Sequence, residues 1–290
     1  MTLLFGLNVS TDASPGTDPV ARAQFAEAIG FDFVSANDHP CGDRPTHECW
    51  TMLSWIAART SRIRVATRVM GVPYRPPAMV AKMAATLSQL SGGRLILGLG
   101  GGASDEEFRA FGLHVPTARE KVEGLEEAVR IIRGLWSEEK FTFEGRIFHT
   151  DGADLEPKPQ HRIPIWLGTF GPRALDVTGR LADGWIPSLD FAPPDRIGTM
   201  HERVLRAARE AGRDPEEIAW IYNLQVSVGE TRDAGPNVIS GSPDKVAEQL
   251  IRLTKLGLQG MNFITVGPEV GEQAERLAKE VLPAVRAGAA

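Results

Sequence analysis

Cysteine is scarce in this chain of 290 residues, which contains only Cys41 and Cys49. Two cysteines do not make a disulfide framework, so a reducing, cytoplasmic compartment is expected. The sequence also lacks any apolar run near the roughly 18 residues that a membrane helix needs. Its first residues lack the basic segment of a signal peptide, and we interpret them as a first strand.

Positive charge is not in excess either. The formal net charge is -5, and the sequence has no basic run. A mildly acidic chain of this kind gives no support for binding to nucleic acid or to an anionic membrane surface. The P-loop, G-x-S-x-G and H-E-x-x-H motifs are absent as well. The partner that we expect is therefore a small-molecule substrate.

Strand-like and helix-like segments alternate along the whole chain. Eight strand–helix units are predicted, with strands at Leu3–Val9, Phe31–Ala36, Ile63–Met70, Leu95–Leu97, Ile165–Gly168, Trp185–Ile186, Ile218–Val228 and Gly260–Val266. Eight units in this length favour an α/β fold of the closed (β/α)8 TIM-barrel type over an open sheet. No change in composition marks a boundary, so we predict a single domain over residues 1–290.

One segment interrupts the alternation before the fifth strand. Residues Glu138–Gln160 contain short alternating pieces around Glu144-Gly145, which predict an inserted surface hairpin. Further along, we expect a polar loop over Gly229–Gly241 and a last helix from about Gly271 to Arg286.

The stretch Arg94–Phe108 combines a buried strand, a run of glycines and a helix start. Ser104 and Glu107 have the spacing of a capping box, which marks a helix N-terminus. Backbone N–H groups at such a turn can face a ligand, although a tight turn that binds nothing has the same pattern. Gly98–Ala103 also fits the dinucleotide fingerprint G-x-G-x-x-A, but it follows the fourth strand instead of the first, which weakens that interpretation.

In a TIM barrel the active site lies at the C-terminal ends of the strands. The residues at those positions with useful chemistry are Asn8, Ser10, Asn37, Asp38, His39, Arg68, Gly71, Tyr74, Arg75, Gly100, Gly101, Gly102, Gly168, Thr169, Gly171, Arg173 and Ser188. His39 is the candidate proton-transfer group, and Asp38 either orients it or caps a turn. The segment Gly168–Arg173 is either an anion site at a helix start or a plain turn with a solvated arginine.

No metal site is expected. The segment His39–Cys49 contains two histidines and two cysteines, but it lacks the short C-x2–4-C spacing of structural zinc sites. Free thiols in a loop are the better interpretation. Four tryptophans are expected in the core or in pocket walls, namely Trp50, Trp55, Trp166 and Trp185.

The chain resembles a known family over nearly its whole length. The segments that carry the resemblance are Gly30–Val34 with Asp38-His39, Thr60–Arg64, Val72–Ala78, Ala81–Leu87, Ser91–Gly100, Glu107–Gly112, Pro164–Gly168, Gly171–Leu175, Ala182–Trp185 and Gly241–Val246. Together they resemble the bacterial-luciferase-like superfamily of (β/α)8 barrels. Within it, they are most similar to the coenzyme F420-dependent oxidoreductases.

This resemblance implies a deazaflavin or flavin across the barrel mouth, with its ring on a bulge after the third strand. Members often have a non-proline cis peptide there, and the equivalent bond is Arg68–Val69. The cofactor residues that the resemblance implies are Asn8, His39, Arg68, Val69, Gly100, Gly101, Gly102, Gly168, Thr169, Gly171 and Pro172, the last four around the phosphate. His39 would lie near the reactive carbon, with Asp38 or a water as its partner, and a homodimer is the family's usual assembly.

The chain departs from the sugar-phosphate dehydrogenases of this group in two places. Ala103 stands where they have a glutamate, and the tryptophan expected shortly after the histidine is absent, with Asp43 or Arg44 nearby. A glucose-6-phosphate activity is therefore not inferred. The leading hypothesis is hydride transfer between coenzyme F420 and a small organic substrate. The alternatives are a two-component monooxygenase that uses reduced FMN and O₂, and a barrel that binds a ligand without catalysis.

Overall fold

The computed structural model describes residues 3–229, 235, 237–267 and 270–289. Its strands are β1 Leu4–Asn8, β2 Phe33–Ala36, β3 Arg64–Thr67, β4 Met70–Gly71, β5 Leu95–Gly100, β6 Phe141–Glu144, β7 His149–Ala153, β8 Ile165–Leu167, β9 Gly184–Trp185, β10 Ala219–Val228, β11 Val238–Gly241 and β12 Gly260–Thr265. Its α-helices are α1 Pro19–Ala28, α2 Cys49–Arg59, α3 Pro77–Ser91, α4 Asp105–Ala110, α5 Ala118–Ser137, α6 Pro172–Leu181, α7 Pro194–Glu210, α8 Pro243–Thr254, α9 Val270–Arg276 and α10 Leu282–Gly288.

Eight parallel strands close into a barrel in the order β1, β2, β3, β5, β8, β9, β10 and β12, with β12 paired back onto β1. The predicted (β/α)8 TIM barrel is therefore confirmed. Most residues of these strands are apolar because helices cover the outer face of a parallel sheet and side chains fill its interior. In β5, for example, all six residues are buried.

The helices begin where the sequence provides caps. The Asp18 side chain accepts hydrogen bonds from the backbone N–H groups of Val20 and Ala21 at the start of α1. Thr117 and Glu120 form a complete capping box at the start of α5. Within the described residues, no helix is long and apolar enough to cross a bilayer.

The hairpin predicted before the fifth barrel strand is present as β6 and β7, which pair in antiparallel fashion. Other boundaries differ from the prediction. The third strand is divided into β3 and β4, the predicted polar loop contains β11, and the last helix is interrupted by a π-helical turn over Leu277–Val281. Residues 230–234 and 236 of that loop lie outside the described residues.

The barrel interior contains a connected row of polar side chains below its C-terminal mouth. The Ser35 hydroxyl donates to Asn262 Oδ1 at 2.9 Å, and Asn262 Nδ2 donates to Asn223 Oδ1 at 2.8 Å. The Asn223 amide then donates to the carbonyl of Ile186. All three side chains are buried, and mutual hydrogen bonding offsets their desolvation.

On the outer side of the barrel, His201 of α7 packs against two tryptophans. Its ring centroid lies 6.0 Å from that of Trp185 and 3.9 Å from that of Trp220. Burial lowers the pKa of His201 to about 4, because charging the ring there would cost desolvation energy.

This burial predicts a pH dependence of stability. Between pH 6.5 and 4 the unfolded chain binds a proton at His201 that the folded chain does not, so the free energy of unfolding falls as the pH falls through this range. The expected contribution is about 3 kcal/mol between pH 7 and 4. Urea unfolding of His201→Phe should show a correspondingly weaker acid dependence than the parent protein, and parallel curves for the two proteins would contradict this assignment.

Candidate active site

A cavity of about 470 Å³ opens at the C-terminal ends of the barrel strands. It brings together eleven predicted site residues, namely Asp38, His39, Arg68, Val69, Gly71, Tyr74, Gly100, Gly101, Gly102, Gly168 and Ser188. Ala103, Phe170, Ile186, Phe191 and Asn223 complete the lining. The rings of Phe170 and Phe191, 5.0 Å apart, form its aromatic side. The cavity is of the size that holds small ligands.

The floor of the cavity carries a bulge between β3 and β4. The Arg68–Val69 peptide is cis, as the resemblance implied. Glycines surround the Val69 side chain on the two neighbouring strands. A Cβ placed on Gly100 would lie 2.7 Å from Val69 Cγ2, and one on Gly168 would lie 3.0 Å from it.

Packing therefore explains much of the glycine run. A Cβ on Gly98 would lie 1.9 Å from the carbonyl oxygen of Thr67, and one on Gly101 would lie 2.9 Å from that of Lys121. Gly102 also has a φ of +91°, which other residues rarely adopt. Gly98 and Gly100 thus let the bulge approach β5, and Gly101 lets the end of β5 approach α5.

His39 is held by a carboxylate, but the carboxylate is that of Glu107 on α4. His39 Nδ1 lies 2.8 Å from Glu107 Oε1, and the Tyr74 hydroxyl donates to Glu107 Oε2 at 2.6 Å. An ionised carboxylate only accepts hydrogen bonds, so Nδ1 is the donor and Nε2 stays available. Burial first, and then the bond to Glu107, raise the pKa of the Tyr74 phenol, which stays protonated.

The capping box predicted for α4 is only half formed. The Ser104 hydroxyl accepts the backbone N–H of Glu107 at 3.3 Å. The Glu107 side chain, which completes such a box by returning to the cap residue, instead binds His39 and Tyr74. The sequence signal for this functional residue was present, but the S-x-x-E spacing was interpreted as capping alone.

Of the two roles left open for Asp38, orienting His39 or capping a turn, the structure does not show the first, because no hydrogen bond joins Asp38 to His39. The buried Asp38 carboxylate accepts hydrogen bonds from Arg75 Nη1 at 2.8 Å, from Arg75 Nη2 at 3.0 Å and from the backbone N–H of Gly71 at 3.1 Å. Arg75 also bonds to Glu48. Burial would lower the pKa of Arg75, but the two carboxylates outweigh it and raise that pKa. Asp38 thus holds the loops after β2 and β3 together.

The four residues predicted to surround the cofactor phosphate lie in different environments. Gly168 lines the cavity, while the buried Thr169 hydroxyl lies 2.7 Å from the hydroxyl of Thr178 and outside the cavity lining. Gly171 and Pro172 begin α6, whose N-terminus has no side-chain cap. Uncapped N–H groups at a helix start favour an anion. Asn8 lies beneath the cavity, where its Oδ1 accepts from Arg68 Nε at 3.0 Å.

The remaining sequence-based expectations are tested by burial. Cys41 and Cys49 are both free, and Cys49 is buried at the start of α2 instead of lying in a loop. Trp50, Trp166 and Trp185 are buried, whereas Trp55 is 61% exposed and lies in the wall of a surface cavity beside α2, so it belongs to the second of the two predicted settings. Among the described residues, no group of three or more His, Cys, Asp or Glu side chains could hold a metal ion.

Comparison with protein-family models matches residues 2–235 to the family described as luciferase-like monooxygenase. The chain belongs to the luciferase-like monooxygenase family. Curated relatives include a protein of Intrasporangium calvum that is 40% identical over 90% of this chain and 92% of its own length. Another, from Nakamurella multipartita, is 33% identical over 79% of this chain and 69% of its own length. Both are named F420-dependent glucose-6-phosphate dehydrogenase.

Solved structures of the luciferase-like fold match the whole barrel. One is described as an F420-dependent secondary alcohol dehydrogenase in complex with an F420-acetone adduct. It superposes with a TM-score of 0.88 over 98% of this chain and 99% of its own, at 21% sequence identity. This similarity supports the fold.

The packing around the bulge predicts opposite effects for two glycine-to-alanine changes. Gly98→Ala should lower the free energy of unfolding by more than about 2 kcal/mol, because its Cβ meets backbone. Gly198→Ala is the matched control, since Gly198 lies within α7 and a Cβ there meets no atom within 4 Å. It should raise stability by about 0.5–1 kcal/mol. Urea unfolding measures both, and equal stabilities would contradict this account.

Proposed function

We propose that this protein is a coenzyme F420-dependent oxidoreductase that transfers hydride between the deazaflavin and a small organic substrate. The observation that carries the proposal is the His39–Glu107 pair, whose histidine lines the same cavity as Val69. A flat ring can lie on the bulge while His39 faces a substrate above it. The F420-dependent names of the two curated relatives support this choice of cofactor.

The residues present fit such a cofactor. The bulge offers an apolar surface, because Val69 is only partly buried and lines the cavity. The uncapped N-terminus of α6 at Gly171 suits a phosphate, and the exposed Arg173 adds positive charge nearby. Asn8 contributes indirectly, by holding Arg68.

When bound, coenzyme F420 supplies the hydride-transfer chemistry. The chain supplies orientation and proton transfer. Glu107 fixes the His39 ring through Nδ1, which leaves Nε2 to exchange a proton with a substrate oxygen. Tyr74 holds the second oxygen of Glu107, and its ring packs 4.9 Å from that of Phe108. Phe170 and Phe191 give one side of the cavity an apolar, aromatic surface.

Glucose-6-phosphate is not proposed as the substrate, although both curated relatives are named for it. Ala103 lines the cavity where the resemblance implies a glutamate, and Glu107, one turn of chain further on, provides the carboxylate that contacts His39. The carboxylate that holds His39 in this chain is therefore that of Glu107, and not one at the position of Ala103. The FMN-dependent monooxygenase alternative has less support, since both relatives are named F420-dependent.

Three broader features accompany this proposal. We propose that residues 1–290 act as one luciferase-like domain, that the protein is cytoplasmic, and that it works as a homodimer. The two free cysteines are compatible with a reducing compartment.

A charge at the start of α6 tests the phosphate position. Gly171 has φ -74° and ψ 151°, so Asp or Ser can replace it as helix cap without strain. Gly171→Asp should keep or raise the melting temperature but weaken F420 binding by roughly 10-fold, because its carboxylate repels the phosphate. Gly171→Ser caps without charge and should bind F420 normally. Undiminished F420 affinity in the Asp variant would place the phosphate elsewhere.

Proton transfer is tested at His39 and Glu107. In whichever reaction a panel of alcohols and carbonyl compounds reveals, His39→Ala should lower kcat by about 100-fold or more. Glu107→Gln keeps the shape of the side chain but removes its charge, so it should lower kcat by about 10-fold. His114→Ala is the control, since His114 is exposed and lies outside the cavity lining. Normal turnover by His39→Ala would remove His39 from the mechanism.

A further inference from the structure

Arg68 is a cation in the cavity without an anionic partner among the described residues. Its Nε donates to the neutral amide oxygen of Asn8 at 3.0 Å, and none of the ion pairs of the described chain includes it. No described residue accepts a hydrogen bond from its Nη1 or Nη2 atoms, and the side chain lines the cavity. The bond to Asn8 fixes the guanidinium plane while its two terminal nitrogens stay available.

The other arginine at this mouth shows the contrast. Both terminal nitrogens of Arg75 are bound by Asp38 and Glu48. The carboxylate that acts on Arg68 through space, that of Asp190, accepts instead from Gln225 at 3.2 Å and Asn237 at 2.9 Å. The carboxylates of Asp38, Glu48 and Asp190 thus accept hydrogen bonds from donors other than Arg68.

The electrostatics of this position favour an anion. Burial lowers the pKa of Arg68 to about 10, so the guanidinium is still charged at neutral pH. A buried charge whose only partner is neutral costs desolvation energy. An anionic ligand that pairs with this charge offsets part of that cost. Two terminal nitrogens in one plane match the two oxygens of a carboxylate.

We propose that Arg68 forms an oxyanion-binding position at the floor of the cavity, which receives a carboxylate of the substrate or the polar edge of the cofactor ring. The inference rests on the proposed function for the identity of the cofactor, but binding of an anion to Arg68 does not require it. With the aromatic side at Phe170 and Phe191, the substrate class that this geometry favours is a small organic acid with an apolar body.

Binding experiments on the cofactor-free protein test this position directly. Benzoate is the probe, and benzamide is its neutral counterpart of the same shape. Arg68→Gln removes the cation, and Asn8→Asp keeps it but supplies an internal carboxylate in place of the amide. Both variants should weaken benzoate binding by roughly 10- to 100-fold and leave benzamide unaffected. Arg62→Gln is the matched control, an exposed arginine in the turn that precedes β3, whereas Arg68 follows β3 directly.

Titration of the same proteins with F420 separates the two sources of the anion. Loss of benzoate binding with normal F420 affinity assigns Arg68 to the substrate. Weaker F420 binding in Arg68→Gln and Asn8→Asp, without benzoate binding in the parent protein, assigns it to the cofactor ring. Unchanged binding of both probes in the two variants, with melting temperatures near that of the parent, overturns the proposal. If benzoate binding depends on Arg68 but the protein does not bind F420, the anion-binding position stands and only the proposed cofactor is overturned.

Discussion

The barrel mouth depends on the buried ion pair between Asp38 and Arg75. This pair ties the loop after β2 to the loop after β3, and Glu48 at the start of α2 extends it. It also determines which polar side chains at the mouth remain available to a ligand. Because Asp38 is fully used by Arg75 and Gly71, His39 turns to Glu107, and Arg68 has only Asn8 as a partner. Removing either member would leave a buried charge without compensation, which is more costly than losing the pair as a whole.

Around this pair, the cavity has sides of different chemistry. One side carries the proton-transfer group His39 with Glu107 and Tyr74 behind it, and the floor carries Val69 and the guanidinium of Arg68. The aromatic pair Phe170 and Phe191 forms a further side, and the uncapped start of α6 lies after β8. In the proposed function, the flat ring of the cofactor would use the floor and its phosphate would use the helix start. A substrate would then meet His39, the aromatic side and, in the proposal made above, Arg68.

The fold could be predicted from the sequence because its strands, helices and hairpin follow from local sequence patterns. Apolar strand segments, capped helices such as α5, and the glycine-centred hairpin of β6 and β7 each depend on residues close together in the chain. The C-terminal rule for barrels then placed His39, Arg68 and the glycines at one mouth. The cis peptide between Arg68 and Val69 came from the family resemblance, and no local pattern would have indicated it.

The contacts within the site could not be predicted in the same way, because they join residues distant in sequence. Asp38 precedes His39 directly, yet its side chain bonds to Arg75, 37 positions later. Glu107 fitted a capping pattern whose second half is absent, and its contact with His39 spans 68 positions. The glycine run was compatible with a ligand turn or with a turn that binds nothing, and the packing of Val69 accounts for Gly100. The choice between core and pocket wall for Trp55 could not be made from residue type alone, and α2 places its ring in a surface cavity.

The central claim is that this mouth binds coenzyme F420 in preference to FMN. The most direct measurement is a fluorescence titration of the purified protein with each cofactor separately. The account predicts micromolar or tighter binding of F420 and much weaker binding of FMN. Tighter binding of FMN would contradict it and favour an oxygen-using monooxygenase, and binding of neither would contradict the cofactor assignment while leaving the barrel and its family unchanged.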